Sequence, residues 1–148
     1  MSGKLAFVRK RMKTIDRISG ILITQEGLLL VKCDGIDDYL LPGGKVENGE
    51  SDLDALRREL MEELNITPTD PEFFGEYARI TSPPRTDERY IVRIRAYVTD
   101  FEGEPIPDRD EVLEIVWASM EDLESGKYPL NPILRKYIVP QLKQQQRL

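Results

Sequence analysis

The sequence contains no histidine and only one cysteine, Cys33. Without histidine, imidazole cannot serve as a general base, so any proton transfer falls to carboxylates. A single cysteine cannot form an internal disulfide, and this agrees with a reducing compartment. We therefore expect a cytoplasmic location and interpret Cys33 as an ordinary strand residue.

Long apolar runs and an excess of positive charge are also absent. No segment approaches the length of a transmembrane helix, and the apolar run at residues 5–8 is too short for a signal peptide. The net charge of −6 argues against a general binder of nucleic acid or anionic membranes. We expect neither partner. An acidic protein can still bind a phosphate substrate if metal ions mediate the contact between its carboxylates and the phosphate groups.

Length and composition predict one globular domain over residues 1–148. The chain has 148 residues, of which 40% are hydrophobic and 32% charged, which is ordinary for a globular protein. The basic arm, residues 1–13, is expected to be a solvated leading segment, with contact to RNA or an acidic partner as the alternative. The tail, residues 143–148, is expected to fray.

The most informative segment, residues 44–66, begins as a glycine loop and continues as a predicted helix. Ser51 suits the N-cap, so the helix should run from Ser51 or Asp52 to Leu64. At about 100° per residue, Glu59 and Glu63 share one face and Glu62 lies within a turn of Glu59. An apolar stripe borders these acids and should face the core: Leu53, Leu56, Leu60 and Leu64.

Neighbouring glutamates repel one another, and a divalent cation would remove that repulsion. All-oxygen ligands favour a hard ion, so we expect Mg²⁺, with Mn²⁺ able to substitute. An acidic run is usually just a solvated helix face. Here Arg58 on the same helix and the flexible pair Gly43 and Gly44 favour a metal and phosphate site instead.

This ordered set resembles the Nudix box, the signature of the Nudix hydrolase family. The matching residues are Gly44, Glu50, Arg58, Glu59, Leu60, Glu62, Glu63 and Ile66. Asn65 stands where the family has glycine. Because asparagine tolerates the left-handed conformation of a helix C-terminus, we expect only a local variation in the cap.

The resemblance implies an α+β fold, an α/β/α sandwich with a mixed β-sheet. It also implies hydrolysis of the diphosphate linkage in a nucleoside diphosphate derivative, with Mg²⁺ or Mn²⁺. Homodimers are common in this family, so a homodimer is a further expectation.

The resemblance assigns roles to individual residues as well. Glu59 and Glu63 would be direct metal ligands, Glu62 a further ligand or one acting through water, and the Gly44 carbonyl an additional ligand. Arg58, Glu59 and Glu62 form the predicted catalytic set, and Arg58 with Glu50 would hold the loop against the helix. The family often draws one more carboxylate from after the box. Asp110, Glu111 and Glu114 are the candidates, and Glu111 is our choice as a metal ligand.

The remaining sequence predicts mainly strands. Residues 16–24 and 28–33 are typical of a β-hairpin, and residues 73–81, 89–99 and 112–118 of further strands. A capped helix should begin at residues 119–122, and a final helix should follow Asn131, with Pro140 bending or restarting it. The inward residues of that final helix are predicted to be Ile133, Leu134, Tyr137 and Ile138.

Three arginines are candidates for binding substrate phosphates: Arg17, Arg93 and Arg95. Guanidinium matches phosphate oxygens well, but solvation or pairing with nearby acids is an open alternative for each. Pro83 lies at roughly the distance after the box at which ADP-ribose-cleaving members of the family have a proline. We use Pro83 only as a slight indication that the substrate is ADP-ribose.

The leading hypothesis is a Mg²⁺-dependent pyrophosphohydrolase. Its substrate would be ADP-ribose, another nucleoside diphosphate sugar, or a nucleoside triphosphate. The alternative is a non-catalytic nucleotide sensor, although the complete glutamate set argues against loss of activity. Isopentenyl diphosphate isomerase shares the implied fold, but its chemistry needs histidine ligands that this sequence lacks.

Overall fold

A computed structural model describes residues 12–82 and 88–148. Pro83 and nearly all of the basic arm lie outside the described residues. The strands are β1 (Lys13–Ile21), β2 (Ile23–Thr24), β3 (Gly27–Cys33), β4 (Gly43–Lys45), β5 (Thr67–Thr81), β6 (Tyr90–Glu102) and β7 (Val112–Ala118). The helices are α1 (Asp52–Leu64), α2 (Met120–Ser125) and α3 (Val139–Gln144), the last preceded by a π-helical turn, Leu134–Ile138.

The described strands form two sheets. The larger has the order β4-β1-β6-β5, in which β1 and β6 run parallel and the other neighbours antiparallel. The smaller has the order β2-β3-β7 and is antiparallel. This mixed arrangement with helices confirms the predicted α+β sandwich.

Two apolar layers hold the helices against the strands. One layer packs α1 on the strands through Leu56, Leu60 and Leu64, and the other packs the C-terminal helical segment through Ile138 and Leu142. Strand β3 serves both layers: Leu28 and Leu30 contribute to one, Leu29 and Val31 to the other. Since successive side chains of a strand point to opposite faces, a continuous apolar run is what a doubly covered strand requires.

The predicted hairpin of residues 16–24 and 28–33 is largely wrong. Only the two residues of β2 pair with β3, while β1 belongs to the larger sheet and pairs with β4 and β6. The chain leaves one sheet and enters the other at Leu22, which is fully buried. The continuous apolar sequence does not reveal this change of sheet, because a doubly covered strand and one arm of a hairpin have the same composition.

Two predicted core residues lie at the surface instead. Leu53 is 47% exposed because Asp52, one turn before Leu56, takes the position that faces the sheet. Tyr137 is 52% exposed, and its ring stacks on Tyr77. The wider i to i+5 repeat of the π-helical turn shifts side chains away from the predicted α-helical positions.

Helix α1 has the predicted ends. The Ser51 hydroxyl accepts a hydrogen bond from the Asp54 N–H at 3.1 Å, as an N-cap does. Asn65 ends the helix in the left-handed conformation, with φ 57° and ψ 39°. The replacement of glycine is therefore accommodated as a helix cap. Among the described residues, no helix is long and apolar enough to cross a membrane.

Candidate active site

Three carboxylates meet at the C-terminal half of α1. Glu59, Glu63 and Glu111 each offer one carboxylate oxygen, and these oxygens lie within 4.8 Å of one another. Glu59 and Glu63 are buried, at 8% and 5% exposure, while Glu111 is exposed. Three ligands predicted from distant parts of the sequence are thus brought together.

Burial makes this cluster electrostatically unfavourable when it is fully charged. Loss of hydration raises the pKa of Glu63, and the adjacent Glu59 carboxylate raises it further. Burial also raises the pKa of Glu59, opposed by its contact with Arg58. Carboxylates with such pKa shifts bind either protons or a cation. The all-oxygen donor set fits a hard divalent ion such as Mg²⁺ or Mn²⁺.

The glycine pair allows close contact between the loop and these acids. A Cβ atom on Gly44 would lie 2.4 Å from the Glu59 carboxyl carbon, so the carboxylate packs directly on the Gly44 backbone. Gly43 has φ +150°, and a Cβ there would lie 2.0 Å from the Ile18 carbonyl oxygen. The Gly43 N–H donates to the Glu63 carboxylate at 3.4 Å. Only glycine permits this approach.

Arg58 joins the loop to the helix, as predicted. Its guanidinium donates two bonds to the Glu50 carboxylate, at 2.8 and 3.0 Å, and one to the Lys45 carbonyl at 3.0 Å. It also donates to Glu59 at 3.0 Å and to Glu62 at 3.4 Å. The Arg58 bonds hold the pKa of Glu50 below its usual value. One cation therefore orients Glu59 and anchors the loop.

The other predicted acids lie outside the three-carboxylate cluster. The Glu62 side chain is 59% exposed and contacts Arg58. The Glu114 carboxylate accepts a hydrogen bond from the Tyr39 hydroxyl at 2.6 Å. Asp110 is exposed. Of the three downstream candidates, the structure brings only Glu111 to Glu59 and Glu63.

Arg93 and Arg95 are engaged by acids on the sheet face that carries α1. Arg95 donates to both oxygens of Asp52, at 2.6 and 2.8 Å, and to Asp16 at 3.0 Å. Arg93 donates to Asp16 at 2.8 Å, and the Tyr97 hydroxyl donates to Asp52 at 2.7 Å. This ion-pair network fixes the start of α1 on β1 and β6. It is the alternative that the sequence left open for these two arginines.

Arg17 lies on the opposite face of the larger sheet and lines a pocket. The pocket has a volume of about 310 Å³ and extends from the sheet to the C-terminal helical segment. Gly43 lines it too, so the pocket adjoins the loop that contacts the acidic cluster. The described lining contains no acidic residue and consists of Arg17, Ser19, Ile36, Leu40, Leu41, Gly43, Arg79, Thr81, Val92, Ile94, Asn131, Ile133, Leu134 and Ile138.

The sequence profile of the NUDIX domain matches residues 14–142. This chain belongs to the Nudix hydrolase family. The match spans β1 to α3 and includes the glycine loop, α1 and Glu111. The chain is accordingly a hydrolase that acts on phosphoric anhydride bonds.

Two known proteins resemble the chain over most of its length. The CTP pyrophosphohydrolase of Escherichia coli strain K12 is 36% identical over 126 residues, which cover 82% of this chain and 86% of that protein. The solution structure of the E. coli ORF135 protein superposes with a TM-score of 0.68 at 32% identity, covering 93% of this chain and 91% of that one.

One Nudix relative is much longer. The nucleoside triphosphate pyrophosphatase/Nudix hydrolase fusion protein of Bifidobacterium longum strain NCC 2705 is 34% identical over 94 residues. Those residues cover 59% of this chain and only 17% of the fusion protein.

Sequence reasoning missed several residues around the Nudix site. The sequence identifies Asp52 only as a possible first residue of the helix and Asn131 only as the residue before the final helix. In the structure Asp52 accepts hydrogen bonds from Arg95 and Tyr97, and Asn131 lines the pocket. Arg79, which lines the pocket with Arg17, was not singled out. The alternation of side chains along β5 and β6 was the available signal. It could be used only once the register of those strands was known.

Proposed function

We propose that this Nudix hydrolase is a Mg²⁺-dependent pyrophosphohydrolase that cleaves the diphosphate linkage of a nucleoside diphosphate derivative. The observation that carries the proposal is the buried acidic cluster beside a pocket with cationic and apolar lining. Gly43 belongs to both, because its N–H bonds Glu63 and its backbone lines the pocket. A substrate with its nucleoside in the pocket would extend its phosphates toward the acids.

In this proposal Glu59, Glu63 and Glu111 hold the metal, with the Gly44 carbonyl as a further ligand and Glu62 acting directly or through water. A bound divalent ion supplies charge neutralisation and a water of lowered pKa. Arg58 keeps Glu59 oriented and the loop in place. Arg58, Glu59 and Glu62 form the proposed catalytic set.

We assign substrate binding first to Arg17, because it lines the pocket, and add Arg79 on the same basis. Both guanidiniums can pair with phosphate oxygens. Arg93 and Arg95 already pair with Asp16 and Asp52, so we give them a positioning role at the start of α1.

Among the substrate classes, we favour a nucleoside triphosphate over ADP-ribose or another nucleoside diphosphate sugar. The relative that is 36% identical is named a CTP pyrophosphohydrolase. The pocket, at about 310 Å³, is at the small end of the range for ligand sites and suits one nucleoside. The homodimer and the cytoplasmic location stay predictions.

The test is a substrate panel with Mg²⁺: nucleoside triphosphates, nucleoside diphosphate sugars and dinucleotides, analysed by chromatography of the products. We expect a nucleoside triphosphate to give a nucleoside monophosphate and pyrophosphate, with chelation stopping the reaction. Faster turnover of a diphosphate sugar would reverse the order of substrates. Tight binding of one compound without turnover of any would favour the alternative function, a non-catalytic nucleotide sensor.

A further inference from the structure

Glu111 reaches the acidic cluster from a loop, whereas Glu59 and Glu63 stand on helix α1. Their carboxylates can act together only if the loop keeps a fixed distance from the helix. One residue of that loop, Asp108, forms hydrogen bonds both to helix α1 and within the turn that carries Glu111. Its backbone N–H donates to the Glu63 carbonyl at 2.9 Å.

The Asp108 side chain organises the turn that carries Glu111. One oxygen, Oδ1, accepts hydrogen bonds from the Asp110 N–H at 3.2 Å and the Val112 N–H at 2.9 Å. These two N–H groups belong to the residues on either side of Glu111. An aspartate that binds N–H groups a few residues ahead stabilises such a turn in place of a backbone acceptor.

Further contacts show that this turn depends on local bonds. The Arg109 N–H donates to the Val112 carbonyl at 2.8 Å, and Arg109 has φ 66°, an uncommon conformation for a residue other than glycine. The Asp34 N–H donates to the Glu111 carbonyl at 3.0 Å. Without the Asp108 acceptor, two N–H groups lose their partner and the strained turn loses part of its support.

We propose that Asp108 is a positioning residue that fixes the Glu111 carboxylate against Glu59 and Glu63. The inference rests on the metal role proposed for this cluster. Because Oδ1 takes both hydrogen bonds, the effect requires an acceptor atom and not a negative charge. Asparagine at position 108 should therefore keep Glu111 in place, whereas alanine should not.

The experiment measures Mn²⁺ binding by the EPR signal of the free ion, without substrate, on folded protein verified by its melting curve. Asp108→Ala should weaken binding about tenfold, in the range known for residues that orient metal ligands. Asp108→Asn should bind within about twofold of the unaltered protein, since it keeps Oδ1. Glu104→Ala is the control, because it removes an exposed charge from the same loop.

A double variant distinguishes positioning from general weakening. If Asp108 acts through Glu111, Asp108→Ala should cause no further loss of affinity in a Glu111→Gln background. Additive losses would overturn the inference. So would an Asp108→Asn variant as weak as Asp108→Ala, or an Asp108→Ala variant that binds Mn²⁺ normally while Glu111→Gln does not. Normal binding by Glu111→Gln would instead remove Glu111 from the proposed metal site, and the inference with it.

Discussion

Helix α1 carries a charged cluster at each end, and the two are built in opposite ways. At its start, Asp52 and Asp16 are matched by Arg95 and Arg93. Toward its end, Glu59, Glu63 and Glu111 face one another, and Arg58 contacts only Glu59 of the three.

The two clusters also differ in the direction of their pKa shifts. Hydrogen bonds from arginine lower the pKa of Asp16 and Asp52, so their charged forms are stabilised in the folded protein. Burial raises the pKa of Glu59 and Glu63, so their charged forms are destabilised. The balanced cluster joins the start of α1 to the sheet, whereas the unbalanced buried cluster matches the cation site that we propose.

The largest effect is expected at Glu63, in the acidic cluster toward the end of α1. Glu63→Gln should lower Mg²⁺-dependent hydrolysis of the best substrate in the panel by at least about a hundredfold, because it removes a ligand charge at nearly constant shape. The metal-free protein should unfold at the same or a higher temperature, since a like-charge repulsion is gone. Steady-state kinetics and a melting curve measure the two effects.

Glu26→Gln provides the control for Glu63→Gln, because Glu26 is exposed in the turn between β2 and β3. Unchanged hydrolysis by Glu63→Gln would contradict the metal role of Glu63. A large drop in its melting temperature would contradict the electrostatic difference between the two clusters.

Gly44→Ala tests whether the loop positions the acidic cluster. The added Cβ would meet the Glu59 carboxylate at 2.4 to 2.7 Å, and the flexible end of that side chain would have to move. We expect about a tenfold to hundredfold loss of Mn²⁺ affinity or activity with little loss of stability.

Gly75→Ala is the matched control for Gly44→Ala. Its Cβ would also meet the end of a side chain, Tyr77, whose hydroxyl bonds Gln141 rather than the acidic cluster. Equal losses of activity in the two variants would show that contact with Glu59 is not the reason.

Asp52→Asn should weaken the balanced cluster. It replaces the charged Asp52 carboxylate, which accepts two hydrogen bonds from Arg95 and one from Tyr97, with a neutral amide. We expect the free energy of unfolding to fall by about 1 to 2 kcal/mol, with kcat unchanged when expressed per folded molecule. Urea unfolding measures the change.

The control is Asp54→Asn, an exposed acid in the same first turn. It removes an equal charge from the helix N-terminus without touching Arg95. If Asp54→Asn costs as much stability as Asp52→Asn, the loss comes from the helix dipole and not from the ion pairs.

The last prediction concerns the dependence of stability on pH in the metal-free protein. Glu59 and Glu63 have folded-state pKa values above the usual 4.5, so folding retains protons that the unfolded chain releases. The free energy of unfolding should therefore fall as pH rises above about 5, by at most about 1.4 kcal/mol per pH unit for each retained proton. Asp16, Asp52 and Glu50 have lowered pKa values, so their contribution to stability is lost only at more acid pH.

Urea unfolding in EDTA at several pH values above about 5 measures this slope. Saturating Mg²⁺ should flatten it, because the ion binds the charged form of the cluster. Glu63→Gln should reduce it as well. An identical slope in the presence and absence of Mg²⁺ would contradict binding of the ion at these carboxylates.

Much of the site could be predicted because it is local in sequence. Ser51, three of the four leucines (Leu56, Leu60 and Leu64), Glu59, Glu63 and Asn65 follow helical spacing and capping rules, which depend on neighbours within about one turn. Glu111 needed the family resemblance, since no local rule connects it to α1. The partners of Arg93 and Arg95 stayed open because they depend on strand register.

The Nudix box, the ends of α1, the α+β class and the exclusion of an imidazole base, since the chain has no histidine, all follow from the sequence alone. Each of these depends on residue identity or short-range spacing. Three features could be seen only in the folded protein. Strand β1 pairs in the larger sheet and not with β3, Arg95 forms an ion pair with Asp52, and Asp108 bonds to the Glu63 backbone beside Glu111. Those outcomes depend on strand register and loop closure, which bring together residues far apart in the chain.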